Sequence, residues 1–399
     1  MECSKVPSRN SAWQWMRVYY FEDCKDNLIL DAIKPALNRM AAGKNTVEAY
    51  FERDWIGGPN VLVGILSAPE DERLEWAVQP IRDYLVNYPS RACLEPTQFR
   101  QQNEISAALE WRRPADVAMS LAPNNTLVLN CAEPFSPLLE SGLLQEAVRH
   151  FLCRSSGLVI NWLELVRSGQ WSRQLIAMHA MIALAWVANP QTLRSHISFR
   201  SHAFGFLRFM DRRSNMHWEK KFARHYANGE GEATRQLVSD SLDGLQQQEH
   251  PLPGMNEYLF LLRETMSAMH AGLAEGRYTA PPLGEISPGD AVPSDPQEQA
   301  NRQVNQKTKK IMERSTVLQT WRIAVNLVYL MLNQLGLSAL ERYLACYLIT
   351  RAAEEIFHEP ATGIVQRLAD TGDVDQVISF FLENNRVLAN GYQSTLMRR

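Results

Sequence analysis

"TVEAYFERDWIGGPNVLVGILSA", residues 46–68, is the stretch whose reading decides the fold class. Two β-rich runs, 46–55 and 60–68, flank "IGGP". Gly57 and Gly58 suit the tight turn of a hairpin-like connection, because glycine reaches positive φ without a steric cost. The second run is apolar almost throughout, which is the pattern of a central strand covered on both faces. Working outward, "WMRVYYFE" (15–22) reads as a strand from its aromatic and β-branched content. "NLILDAIKPALNRMA" (27–41) reads as a helix, with Leu28, Ala32, Ile33, Ala36, Leu37 and Met40 on one stripe. "DERLEWAVQPIRDYLVNY" (71–88) is a second helix, opened by acids that complement its dipole. This β-α-β-β-α order predicts an α+β sandwich, taken as a domain over residues 11–134.

From about Phe135 onward the text is helical, and residues 135–399 are expected to form a helical, catalytic region. The expected helices are 137–153, 157–167, 171–187, 197–211, 214–227, 231–247, 254–274, 306–335, 338–357 and 373–389. Ser338, with Glu341 three residues on, fits a capping box. Residues 272–306 are Pro- and Gly-rich. Five prolines between 281 and 296 predict an irregular loop there.

The composition, 45% hydrophobic and 21% charged over 399 residues with a net charge of −3, is that of a globular chain with no bulk attraction for nucleic acid or anionic membranes. The six cysteines, Cys3, Cys24, Cys93, Cys131, Cys153 and Cys346, are scattered without ligand spacing. They predict reduced thiols rather than disulfides or zinc. No signal-peptide or bilayer-length apolar run is present, so a soluble, cytoplasmic protein is expected. His196 and His202 are six apart and do not share a helical face, and His217 and His225 suit separate exposed positions. No metal and no cofactor are expected. There is no P-loop, GxGxxG, HExxH or GxSxG motif.

Three segments put polar groups where apolar ones would pack more easily. In "SHISFRSHAFGFLRF" (195–209), Ser198, Arg200, Ser201 and His202 crowd one turn. In 320–337, Arg322, Asn326, Tyr329 and Asn333 recur at helical spacing, and in 341–355 so do Tyr343, Tyr347, Thr350, Arg351 and Glu354. Left without partners inside a core, such groups would cost about 1–3 kcal/mol each. They face one another, water or a substrate; the sequence leaves open a self-satisfied network and a polar cavity. The Lys/Arg-rich run 302–322, which includes Lys309, Lys310 and Arg322, reads as a solvated helix face or as a dock for an acidic peptide.

The order "VYYF", "LILDAIKPALNRM", "AYFERDWIGGPNVLVGI" resembles the C-terminal, glutamate-eliminating domain of lantibiotic dehydratases and its stand-alone relatives, the thiopeptide-type bacteriocin biosynthesis proteins. "SFRSHAFGFL" (198–207), the whole of 321–357 and "FFLENNRVLANG" (380–391) extend the likeness over roughly residues 13–391. The resemblance implies eliminases with a histidine and two alternating arginines in the strand after Gly-Pro, and a histidine shortly before a terminal Asn-Arg. Here that strand reads Asn60-Val61-Leu62-Val63-Gly64, and no histidine follows His358. Elimination needs cations for the departing glutamate and a base worth ~10²–10⁴-fold, and the usual suppliers are missing. The resemblance therefore points to the thiopeptide pyridine synthase branch.

That branch performs a formal aza-[4+2] cycloaddition between two dehydroalanines of a leader-bearing ribosomal peptide. Water and leader are then lost, leaving a pyridine within a macrocycle. Closing a ring of around ten residues costs about 2 kcal/mol of loop entropy, whereas alignment of the reacting groups can supply up to ~7–11 kcal/mol. The resemblance implies Tyr329 and Tyr347 as hydrogen-bond donors with Tyr343 beside them, and His202 as a proton shuttle. Ser198 and Ser201 are candidate catalytic donors, and Arg200, Asn326, Arg322, Lys309 and Lys310 candidate substrate-binding groups. The implied partners are the precursor peptide and a separate glutamylating dehydratase, with no membrane or nucleic acid and a homodimer left open. The alternatives are a stand-alone eliminase, with Arg53, Arg200 or Arg322 replacing the lost arginines, and a non-catalytic peptide-binding protein.

Overall fold

A computed structural model of the chain describes residues 12–41, 48–67, 73–101, 120–131, 142–189, 195–213, 216–280 and 296–374. It divides into two compact units. The first is built from residues 1–140, 148–173 and 330–337, the second from 141–147, 174–329 and 338–399. The class is as expected, a small antiparallel sheet near the N-terminus followed by a mostly helical remainder.

The first unit holds a four-stranded antiparallel sheet of β1 (Ala12–Tyr19), β2 (Ala49–Asp54), β3 (Asn60–Ser67) and β4 (Thr126–Leu129), in the order β2-β3-β1-β4. The apolar β3 is central, as its composition required, and pairs with β1 and β2. Gly57 and Gly58 both take positive φ, 74° and 122°, and the Asn60 side chain ties the turn by donating to the Ile56 and Gly58 carbonyls at 3.1 and 2.8 Å. β4 was not foreseen from the sequence: four residues of half-exposed strand carry too short an alternation to register.

Gly64 shows why the register is unique. It lies opposite Trp15 on β1 and Tyr50 on β2. A Cβ added there would sit 2.2 Å from the Trp15 ring. That ring is itself clamped by Trp13 and Tyr50, with centroids at 5.7 and 5.6 Å. Gly64→Ala is therefore expected to destabilise the protein by about 1–3 kcal/mol through overpacking. A chemical-denaturation midpoint within error of wild type would refute this account of the glycine.

The exposed edge of β2 is closed by side chains rather than by another strand, which blunts its tendency to pair with other chains. Gln334 donates to Phe51 O at 2.8 Å and Asn333 to Arg53 O at 2.8 Å. Phe51 N donates to the Ser156 hydroxyl at 3.4 Å. Behind this edge Asp26 accepts from Arg53 (2.6 Å) and Arg173 (2.5 Å), and the Arg53 Nε donates to the Gln334 carbonyl at 3.0 Å. Around the sheet run α1 (Asp26–Leu28), which continues through a π turn at Ile29–Ile33 into α2 (Lys34–Ala41), and α3 (Arg73–Asn87).

The remaining helices are α4 (Gly142–Arg167), α5 (Arg173–Ala188), α6 (His196–Arg213), α7 (Trp218–His225), α8 (Gly231–Gln247), α9 (Met255–Ala274), α10 (Pro296–Arg314), α11 (Thr316–Leu335), α12 (Ala339–Ile356) and α13 (Ala361–Thr371). Several sequence expectations need correction. The two helices expected at 137–153 and 157–167 are one, because Ser155, Ser156 and Gly157 sit inside α4 without breaking it. The helix expected at 306–335 is two, interrupted at Ser315, and the first already begins at Pro296. The loop expected over 272–306 begins where the expected helix 254–274 ends, at Ala274, but stops short at its far end. Pro296 opens a helix, since a first-turn proline loses no hydrogen bond; residues 281–295 lie outside the described residues. α13 was missed, and the helix expected at 373–389 falls almost wholly outside the described residues.

The Ser338–Glu341 capping box forms as read: Glu341 N donates to Ser338 Oγ at 3.3 Å and Ser338 N to Glu341 Oε2 at 2.8 Å. In the second unit, α5 is buried on nearly every face, while Leu318, Ile364 and Leu368 gather a core beneath α11 and α13. Among the described residues, no helix is long and apolar enough to cross a membrane.

Candidate active site in the helical unit

α6 presents Phe199, Ala203 and Phe206 as its buried stripe, spaced i, i+4, i+7 as one helix face requires. His202 borders that stripe and points at α11. Its Nδ1 lies 2.9 Å from the Tyr329 hydroxyl, which in turn lies 3.0 Å from the thiol of Cys346 on α12. The Arg342 guanidinium stands over the Tyr329 ring at 4.9 Å and near the Tyr343 ring at 5.2 Å. On α12, Arg342 and Cys346 are one helical turn apart and share a face, as do Tyr343 and Tyr347 one position on.

The second pair meets an aromatic wall. Tyr343 stacks on Phe206 at 4.4 Å. Tyr347 meets Phe222 of α7 edge-on at 5.6 Å and Phe204 at 6.1 Å. Arg200 covers Phe204 from the far side at 4.5 Å. Behind Tyr347, Arg351 pairs with Glu354 at 2.9 Å, and Glu354 also accepts from Ala361 N.

Electrostatics keep the polar trio neutral. Burial and then the nearby Arg342 push His202 down to about 4. Burial raises the Tyr329 phenol well above its ordinary value, and pushes the Cys346 thiol up to about 12. At neutral pH the site offers hydrogen bonds rather than a strong base, with two guanidiniums, Arg342 and Arg200, against its rings.

Elsewhere in this unit His179 and His250 are likewise pushed down to about 4 by burial. For all three histidines the folded pKa lies below the unfolded value of 6.5, so unfolding takes up protons at acid pH. Their contribution to stability is complete above about pH 6.5 and is lost as pH falls toward 4. Stability from denaturant titrations is therefore expected to be flat between pH 7 and 8 and to fall steeply between pH 6.5 and 4. The fall should be shallower in His202→Gln; an identical slope in that variant would contradict the neutral state of His202.

The structure thus brings together His202, Tyr329, Tyr343, Tyr347 and Arg200. Ser201 is exposed, and Ser198 is half-buried one turn before His202. Lys309 pairs with Glu313 at 3.9 Å on α10, and Lys310 is exposed. Arg322 is half-buried, its pKa lowered by burial and held up by Glu313, so it belongs with α10 rather than with the trio. Asn326, half-buried on α11, lies within one turn of Tyr329. Two members of the cluster went unread in the sequence, Arg342 and Cys346. Their i, i+4 spacing, offset by one residue from Tyr343 and Tyr347, was the available signal.

The model of the family described as "Lantibiotic biosynthesis dehydratase C-term" matches residues 13–354. The chain belongs to this family. Membership places it with proteins that modify ribosomally made peptides. The solved structure of "Pyridine synthase, TbtD, from thiomuracin biosynthesis" matches with a TM-score of 0.65 and 26% identity, covering 87% of this chain and 99% of that one. A second, TsrL, shares the fold with a TM-score of 0.62 at 15% identity, covering 89% of this chain and 98% of that one. No curated protein sequence matches the chain.

Proposed function

We propose that this lantibiotic dehydratase C-terminal family member is a thiopeptide-type pyridine synthase. In this reading it joins two dehydroalanines of a leader-bearing peptide by a formal aza-[4+2] cycloaddition, then expels water and the leader to leave a pyridine-closed macrocycle. The observation that carries the reading is the neutral trio His202–Tyr329–Cys346 beside Arg342. A cycloaddition asks for alignment and for donors on a reacting amide, not for a strong base. Preorganised donors that favour the iminol form of that amide are worth roughly 10²–10³ in rate each.

His202 is the proposed donor to that amide and Tyr329 the relay that supplies its proton, and His202 also moves the proton that leaves with water. Tyr347 and Tyr343, set against Phe204, Phe206 and Phe222, supply a flat wall against which a planar, unsaturated peptide segment can stack. Ser198, Ser201, Arg200 and Asn326 are proposed to orient the substrate backbone. Lys309, Lys310 and Arg322 are proposed to meet acidic residues of the leader, outside the reacting centre. β3 supports this reading from the other side, since a strand of Asn60, Val61, Leu62, Val63 and Gly64 has no cation for a departing glutamate.

The test is direct. Incubated with a leader-bearing, bis-dehydroalanine peptide, the protein is expected to release the leader and yield a product lighter by leader plus water. Release of glutamate from a glutamylated peptide, with no ring formed on any of a range of precursors, would assign it instead to elimination. Tight peptide binding with neither product would assign it to a carrier role.

A further inference from the structure

Cys346 is the one member of the trio that the proposed reaction does not use, and it is fully buried. The Tyr329 hydroxyl has one proton and two neighbours, His202 Nδ1 at 2.9 Å and Cys346 Sγ at 3.0 Å. Thiol, phenol and imidazole are each neutral and each carry one proton, so a continuous head-to-tail chain through the Tyr329 hydroxyl can run in two directions. In the first, the thiol donates to the phenolic oxygen, the phenol donates to Nδ1, and the imidazole proton sits on Nε2. In the second, Nδ1–H donates to the phenolic oxygen and the phenol donates to sulfur.

The two differ in which groups they ask to be strong. Imidazole nitrogen is a good acceptor, whereas thiol sulfur is weak as donor and as acceptor. The first wiring gives the phenol's proton to the good acceptor and asks the sulfur only for a supporting donation. The second ends on the weak acceptor. Arg342, 4.9 Å above the Tyr329 ring, draws electron density from the phenol, which improves it as a donor and weakens it as an acceptor. That again favours the wiring in which the phenol's donation is the strong bond. Burial, which holds the thiol pKa near 12, ensures that Cys346 keeps the proton it has to give.

We propose that Cys346 is a positioning residue whose S–H donation turns the Tyr329 hydroxyl toward His202 Nδ1 and locks His202 as the Nε2–H tautomer. His202 then meets a substrate as a neutral N–H donor. In the reaction proposed above, on which this consequence alone rests, the C–O bond of the cyclic adduct breaks and its electron pair leaves on oxygen. The Nε2 proton completes the water. Nδ1 takes the Tyr329 proton in the same movement, and Cys346 and Arg342 hold the phenolate. The ring proton lost on aromatisation returns along the same path, restoring all three groups.

The tautomer can be read without substrate. In full-length protein labelled with [15N]histidine, the His202 signals, assigned among nine histidines by their loss in His202→Gln, are expected to show a protonated Nε2 and a bare Nδ1. Cys346→Met, which keeps a sulfur that can accept but has no proton to give, should shift the tautomer ratio about fivefold toward Nδ1–H, the equivalent of one net hydrogen bond. Cys346→Ser, which keeps a donor, should hold the Nε2–H form. A wild-type spectrum showing Nδ1–H, or a ratio unchanged in folded Cys346→Met, would overturn the proposal. If Cys346→Met does not fold, the wild-type spectrum still decides the wiring, and Cys346→Ser must keep the Nε2–H form. A correct tautomer in a protein that forms no ring refutes the proposed function and leaves the role of Cys346 standing.

Discussion

Tyr329→Phe is expected to lower kcat for ring formation about 10²–10³-fold, with KM little changed. The variant keeps the ring that lies beneath Arg342 and within 5.1 Å of His202, so packing is preserved. What it loses is the single hydroxyl to which both His202 and Cys346 point. A group that acts on the reacting amide or relays a proton contributes in the transition state more than in the bound substrate, so its loss appears in kcat. Leaving the imidazole and thiol without their common partner should also cost about 1–3 kcal/mol of stability, measurable in the same preparation by denaturant titration. A variant with undiminished turnover would remove Tyr329 from the mechanism and with it the centre of the site. His202→Gln should show a comparable loss, and the double variant little more than either single one, because residues acting as one relay are not additive.

Asp26→Ala is expected to have the largest effect on stability, about 3–5 kcal/mol. Asp26 is buried and is the carboxylate shared by Arg53 and Arg173. Removing it leaves two guanidiniums facing each other beside Lys25, whose own pKa is already pushed down to about 8 by burial and then by Arg53. Breaking one side of a buried ion cluster costs far more than never having built it, because the remaining charges stay desolvated. The double variant Asp26→Leu/Arg53→Met should therefore recover a large part of the loss. If Asp26→Ala shifted the denaturation midpoint by less than the equivalent of about 1 kcal/mol, the cluster would have to be solvated. Arg53 also buttresses the chain near Gly336, where an added Cβ would come within 2.8 Å of its guanidinium carbon. The cluster thus holds β2 and the end of α11 together within the first unit.

Legibility differed by the length of the signal. The sheet's first three strands were readable because each carries six or eight residues of apolar or aromatic pattern, and because Gly57-Gly58 punctuates two of them. Helices α5 to α9 were placed to within a few residues at most ends, since long amphipathic or apolar runs have clear starts and stops. The errors lie where a local rule had an exception. Serine and glycine at 155–157 suggest a break, yet α4 runs through them, with the Ser155 hydroxyl in reach of its own Leu152 carbonyl and of the Gln334 amide oxygen. Proline was read as excluding structure at 296, where it instead begins α10.

The site was legible in part for the same reason. Polar residues at helical spacing announced that α6, α11 and α12 needed partners, and family likeness raised His202, Tyr329, Tyr343 and Tyr347 above the rest. Periodicity could not say which stripe faces which. Arg342 was not singled out in the sequence, and Cys346 stood only as one of six scattered thiols; the geometry of α12 against Tyr329 brings both into the cluster. Asn333 shows the reverse: it shares the spacing of Arg322, Asn326 and Tyr329, yet its amide closes the edge of β2.

The residue order alone determined the fold class, the family and the absence of arginine from the strand after Gly-Pro, because these depend on local pattern and composition. The tertiary structure decided which polar groups meet and how burial shifts their pKa values. Those properties depend on distance and burial between helices that lie more than a hundred residues apart in the chain, as His202 and Tyr329 do, and no spacing rule along the sequence encodes them.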